Sequence, residues 1–141
     1  MAVSAGAIVC TILIHTLVLV ATVHLVRFEK RLGRTGKKLW IDIFIVWRVL
    51  AMALAAHLIE IGVWAICFLL CGEMSDFGTA YYYSAGSYTT LGTGDVLMTP
   101  SWRLLGPLEA ADGVLMFGVS TALVFLVGLR LAEERFADIR R

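Results

Sequence analysis

Charged side chains are scarce in this chain. Lys, Arg, Asp and Glu make up 16% of its 141 residues, where a soluble globular domain carries about 25%. The formal net charge is only +1, which gives a nucleic-acid partner no electrostatic footprint to follow. Cysteine is equally sparse, and Cys10, Cys67 and Cys71 all lie in apolar stretches. Cys67 and Cys71 share a helical face, but two thiols make a poor metal site on their own, so all three read as packing residues. No internal repeat of the transporter kind is visible, and no linker separates a second domain. No apolar run carries arginine at every third position, which excludes a voltage sensor of the usual kind. The tail beyond Arg130 is too short to fold as a ligand-sensing module.

What the chain has instead is apolar length. Hydrophobic residues make up 60% of it, and its mean hydropathy is +0.85. Three runs carry this excess: Ala5–Val26, Leu39–Leu70, and one that starts near Trp102 or Pro107 and ends near Leu131. A helix needs about 20 residues to cross a hydrocarbon layer of ~30 Å, so each run is a membrane span. The first lacks a basic region ahead of it and exceeds a secretory apolar core, so it is expected to be retained. The second is too long for one perpendicular crossing. Asp42, Trp47 and Arg48 place its first turns at the interface, with the crossing at about Val49–Cys71.

The connection Arg27–Lys38 carries Arg27, Lys30, Arg31, Arg34, Lys37 and Lys38 against the single acid Glu29. Positive charge stays on the cytoplasmic side, and Arg130, Arg135, Arg140 and Arg141 agree with that side. The expected protein is a multi-pass resident of the cell membrane, with its N-terminus outside and its C-terminus cytoplasmic. Residues 1–38 form a first span and basic loop, residues 39–133 a pore domain, and residues 134–141 a short tail.

Gly72–Ser101, between the second and third runs, is the informative segment. Ser75 or Asp76 can cap a helix by accepting a free first-turn N–H. Phe77–Thr89 then reads as a short uncharged helix, about 20 Å long and unable to cross, so it dips in and returns or lies flat. Thr89–Asp95 follows, with the sequence Thr-Thr-Leu-Gly-Thr-Gly-Asp. Extended backbone at membrane depth is tolerated where it is buried in protein or lines water. Gly92 and Gly94 can take positive φ without steric cost, and alternating the hand of successive residues turns their carbonyls to one side. Such a row of oxygens can replace the hydration shell of a cation, with the Thr90 hydroxyl adding one more. The negative C-terminal end of the preceding helix favours a cation there. One chain supplies one wall, so four copies are needed.

Tyr82–Asp95, YYSAGSYTTLGTGD, resembles the pore helix and filter of tetrameric potassium channels, whose signature is Thr-Val-Gly-Tyr-Gly-Asp. Trp102–Phe125, WRLLGPLEAADGVLMFGVSTALVF, and His57–Ala65, HLIEIGVWA, resemble the small bacterial channels of this two-span, pore-loop kind. The likeness covers about Arg48–Phe125, and the first span is then an addition. It implies that Thr90, Leu91, Gly92, Thr93 and Gly94 line the filter, supported by Thr89, Asp95, Tyr82, Tyr83 and Tyr88. It also implies an inner-helix hinge at Gly113, with Gly118 as a second position. Phe117 and Thr121, on the same helix face as Gly113, would line the inner cavity. Thr93 departs from the family's usual tyrosine, a bulky brace behind the filter, and relatives with a small polar residue here can be non-selective.

Polar residues inside the runs leave two readings open. His57 and Glu60 share a helix face, either as a functional pair or as a hydrogen-bonded structural one with a pore-helix tyrosine as partner. Glu109 and Asp112 sit near the start of the third span, either as acids favoured by the helix dipole or as groups that tune the ion path. His15 and His24 read as packing or interfacial residues rather than haem ligands. The expectation is an all-α membrane protein with three transmembrane helices, a re-entrant pore helix and a fourfold pore. Its partners are further copies of itself, the lipid bilayer and monovalent cations, with no nucleic acid. It is not an enzyme, and it needs no cofactor or metal beyond permeant potassium. A non-selective cation pore is the alternative within this class, and a non-conducting membrane subunit or haem-binding anchor the alternative outside it.

Overall fold

A computed structural model describes residues 2–92 and 94–139. Four helices follow in chain order: α1 Ala2–Arg31, α2 Leu39–Leu70, α3 Phe77–Tyr88 and α4 Leu105–Ile139. The described residues contain no strand. Three of the helices are long and apolar enough to cross a membrane: Val3–Arg31, Leu39–Leu70 and Leu105–Ala137. The apolar runs therefore predict the spans: α2 coincides with its run, whereas α1 and α4 outlast theirs. α2 is continuous over 32 residues, about 48 Å at the usual rise. Pro107 lies in the first turn of α4, where no N–H is missed, and α4 runs unbroken past residue 133 to Ile139.

Contacts divide the chain into two units. One comprises Met1–His15 and Ala56–Phe117, the other Thr16–Ala55 and Gly118–Arg141.

In the first unit the core is Ala7, Ile61, Trp64, Ala65, Cys67, Phe68, Met74, Ala80, Tyr88, Leu105 and Met116. Helix α3 is fastened into it by hydroxyls that donate to backbone carbonyls of its neighbours. Tyr81 donates to Leu58 O at 3.0 Å and Ser87 to Gly106 O at 2.9 Å. Gly106 and Gly113 are what let α4 approach α3 so closely. A Cβ at Gly106 would meet the Tyr83 hydroxyl at 2.9 Å, and one at Gly113 would fall inside the Tyr88 carbonyl. The loop leaving α3 is clipped at its far end, where Thr99 donates its N–H and its hydroxyl to the two Glu73 oxygens at 2.7 and 2.6 Å.

In the second unit Ile45, Val49, Val127 and Leu131 are buried, with Val26, Ile41, Val46, Leu123 and Val124 packed around them. Several of its charged groups meet across helices. Arg48 lies 2.7 Å from Glu29, Arg135 2.7 Å from Asp42, and Lys30 2.6 Å from Glu134. The basic connection turns at Gly36, whose φ of 75° favours glycine and whose N–H donates to Asp42 at 3.0 Å.

Candidate functional site

The site begins with the cap of α3. Asp76 is its N-cap, and its carboxylate accepts from the Thr79 N–H at 3.0 Å and from the Thr79 hydroxyl at 2.7 Å. These two donors hold the Asp76 carboxyl below the usual carboxylate range. Of the two cap residues the sequence offers, the structure uses Asp76. Twelve residues later the helix stops at Tyr88, and the chain folds back on its own last turn. The N–H groups of Thr89, Thr90 and Gly92 donate to the carbonyls of Ala85, Ser87 and Gly86 at 3.2, 2.9 and 3.0 Å. The Thr89 hydroxyl adds a bond to Ala85 O at 2.7 Å.

Over residues 90–92 the backbone alternates, and the left-handed region recurs at Gly94. Thr90 has φ 61°, Gly92 φ 69° and Gly94 φ 72°, whereas Leu91 stays out of that region. Gly92 and Gly94 do this for conformational reasons alone, because a Cβ on either would meet nothing within 4 Å. Thr90 is different. A β-branched residue with positive φ is a genuine outlier, and such strain costs about 1–3 kcal/mol and gathers at functional sites. The glycines announce their part in the sequence, but nothing about a threonine announces this conformation.

Leu91 is 81% exposed in the single chain, and Gly92, Gly94 and Asp95 are exposed with it. Thr93 lies outside the described residues. The three tyrosines divide in their surroundings. Tyr82 is half exposed, Tyr83 packs edge-on against Phe68 with ring centroids 5.1 Å apart, and Tyr88 is fully buried.

Tyr88 leads to a polar interior behind α3. Its hydroxyl donates to Glu60 Oε2 at 2.5 Å and lies 3.1 Å from His57 Nδ1. Glu60 Oε1 lies 2.9 Å from His15 Nδ1, so His57 and Glu60 belong to a foursome rather than a pair. His15 is a buried partner within it, while His24 is exposed. The contact joins residues 45 positions apart, which no local spacing signals. Phe117 lies over this cluster, 4.3 Å from the His57 ring and 5.5 Å from the Tyr88 ring. Thr121 is exposed, and a Cβ at Gly118 would meet nothing.

The two acids of α4 are buried as well. Asp112 accepts from the Thr11 hydroxyl at 2.8 Å and from the Trp64 indole N–H at 3.0 Å. Glu109 is fully buried, with Oε1 2.5 Å from the Ser84 hydroxyl, while Oε2 has no hydrogen-bond partner among the described residues. Both acids thus tie α4 to its neighbouring helices, which is more specific than a dipole preference.

Three helices able to cross a membrane, with a short capped helix and a strained glycine loop between the last two, define a helical membrane channel of the pore-loop class. The model of the ion channel family matches residues 43–128, more than half of the chain, and the chain belongs to that family. The match takes in α3, the loop and most of α2 and α4. It is a family of membrane channels rather than enzymes, and membership carries passive ion conduction and a multi-pass place in the membrane. No curated protein and no solved structure matches the chain.

Proposed function

We propose that four copies of this chain surround an axis lined by Thr90, Leu91, Gly92, Thr93 and Gly94, and that the pore passes potassium. The observation that carries this reading is the left-handed backbone at Thr90, Gly92 and Gly94. Alternation of this kind turns carbonyls to one side, and rings of carbonyls replace the hydration shell of a permeating cation. The exposure of the loop in the single chain fits a surface completed by other copies. The N-terminus is placed outside the cell membrane and the C-terminus in the cytoplasm, on the strength of the basic connection and tail.

Thr93 favours a second reading, a non-selective monovalent cation pore, because its side chain is too short to brace a filter as tyrosine does. Reversal potentials in bilayers with potassium on one side and sodium on the other separate the two. A reversal displaced toward potassium supports the first, and one near zero supports the second. Thr93→Tyr is expected to move a weakly selective reversal toward potassium. Mass measurement of the detergent-solubilised particle tests the fourfold assembly, and a monomer or dimer would contradict it.

A further inference from the structure

One cluster behind α3 has donor chemistry that goes beyond hydrogen bonding. His15 on α1 and His57 and Glu60 on α2 are all buried, and each offers one ligand atom within 4.8 Å of the other two. His15 Nδ1 lies 2.9 Å from Glu60 Oε1, and His57 Nδ1 lies 3.3 Å from Glu60 Oε2. A tetrahedral zinc ion with bonds of ~2.1 Å holds its ligands roughly 3.4 Å apart; each imidazole stands within about 0.5 Å of that spacing from a Glu60 oxygen, and the three ligand atoms, within 4.8 Å of one another, need only draw together around an ion. His57 and Glu60 are one turn apart on a rigid helix, which fixes their relative direction.

Two imidazoles and a carboxylate are a first-row transition-metal donor set. Potassium, magnesium and calcium prefer oxygen throughout, so this cluster is chemically distinct from the filter. Its surroundings also fit a metal centre. The Tyr88 hydroxyl donates to Glu60, as outer hydrogen bonds orient metal ligands. Phe117 lies over the His57 ring. A divalent ion would also compensate the buried Glu60 carboxylate.

We infer that His15, His57 and Glu60 bind a divalent transition-metal ion, zinc by its donor set, which clamps α1 to α2 beside Tyr88. The site amends the expectation that the protein carries no metal beyond its permeant ions, and it stands independently of what the pore conducts.

Protein grown with zinc in the medium and purified without chelator tests this by elemental analysis. A parallel preparation grown with cobalt(II) is read by visible absorption. The site predicts about one metal per chain and the ligand-field bands of four-coordinate cobalt. Glu60→Gln and His15→Ala should each lower metal content at least tenfold, Tyr88→Phe should weaken affinity about 10- to 100-fold, and His24→Ala should keep the full content. Wild-type protein with background metal and no cobalt bands would overturn the site, in favour of a purely hydrogen-bonded cluster. Equal content in wild type and Glu60→Gln would overturn its location. The wild-type spectrum decides even where a ligand variant does not fold. A metal-loaded protein that passes no cations would refute the conduction reading alone.

Discussion

The unit that carries the loop and the unit that carries the basic connection both bury carboxylates, but they satisfy them differently. Around the connection, Glu29 and Asp42 each face an arginine, Arg48 and Arg135. Around the loop, Asp112 and Glu109 receive neutral hydroxyl and indole donors from Thr11, Trp64 and Ser84, and Glu60 has a tyrosine hydroxyl and two histidines beside it. The reason is solvation. A full cation held away from water is costly to desolvate, whereas an uncharged donor satisfies a lone pair at lower cost. The arginine side chains of these pairs stay 36% and 27% exposed, whereas Thr11, Trp64 and Ser84 are fully buried.

The largest expected effect sharpens this contrast within a single helix. Gly113→Ala would press a methyl into the Tyr88 carbonyl, whereas Gly118→Ala has open space. We predict that Gly113→Ala destabilises by at least about 1–3 kcal/mol, while Gly118→Ala stays within about 0.5 kcal/mol. Thermal melts in detergent followed by circular dichroism check both, and similar melts would show that the two positions are equally packed.

Next comes the choice of donor. Trp64→Phe removes one of the hydrogen bonds to Asp112 and should cost about 1–3 kcal/mol. Lys30→Ala breaks a pair whose lysine side chain is 67% exposed and should cost at most about 1 kcal/mol. The same melts read both variants, and a costlier Lys30→Ala would reverse the comparison between the units.

The smallest effect lies at the cap of α3. Thr79 holds the Asp76 carboxyl below its ordinary range, so the ionised form is favoured on folding. The contribution of this cap is therefore complete above the unfolded value of about 3.9, and it is lost as pH falls through the lower folded value. Asp76→Asn keeps a capping oxygen but cannot titrate. Its acid-limb melting curve should be flatter than that of wild type, and identical limbs would contradict the assignment.

Much of this architecture is legible from local pattern. Apolar length gives α1, α2 and α4, the polar turn gives the cap, and Gly92 and Gly94 give the loop its conformation. What escapes the sequence is what depends on distant partners. Nothing near His15 points to Glu60, and the place of Asp112 against Thr11 and Trp64 follows only from packing. Gly113 reads by resemblance as a hinge, yet its neighbours show a second demand on it, the close approach of Tyr88. Thr90 is illegible for another reason, since its left-handed backbone comes from the folding of the loop onto α3 and not from its own preference.

Potassium flux from liposomes tests most directly whether Thr89–Asp95 is a cation-selecting loop. Gly92→Ala meets no atom within 4 Å, so its cost is the backbone conformation alone, about 1–2 kcal/mol, confined to the loop. Wild-type protein should discharge a potassium gradient, and the variant, reconstituted at equal density with unchanged helical circular dichroism at the assay temperature, should discharge it far more slowly. Equal flux from the two proteins, or wild-type flux no faster than that of empty vesicles, would contradict the account.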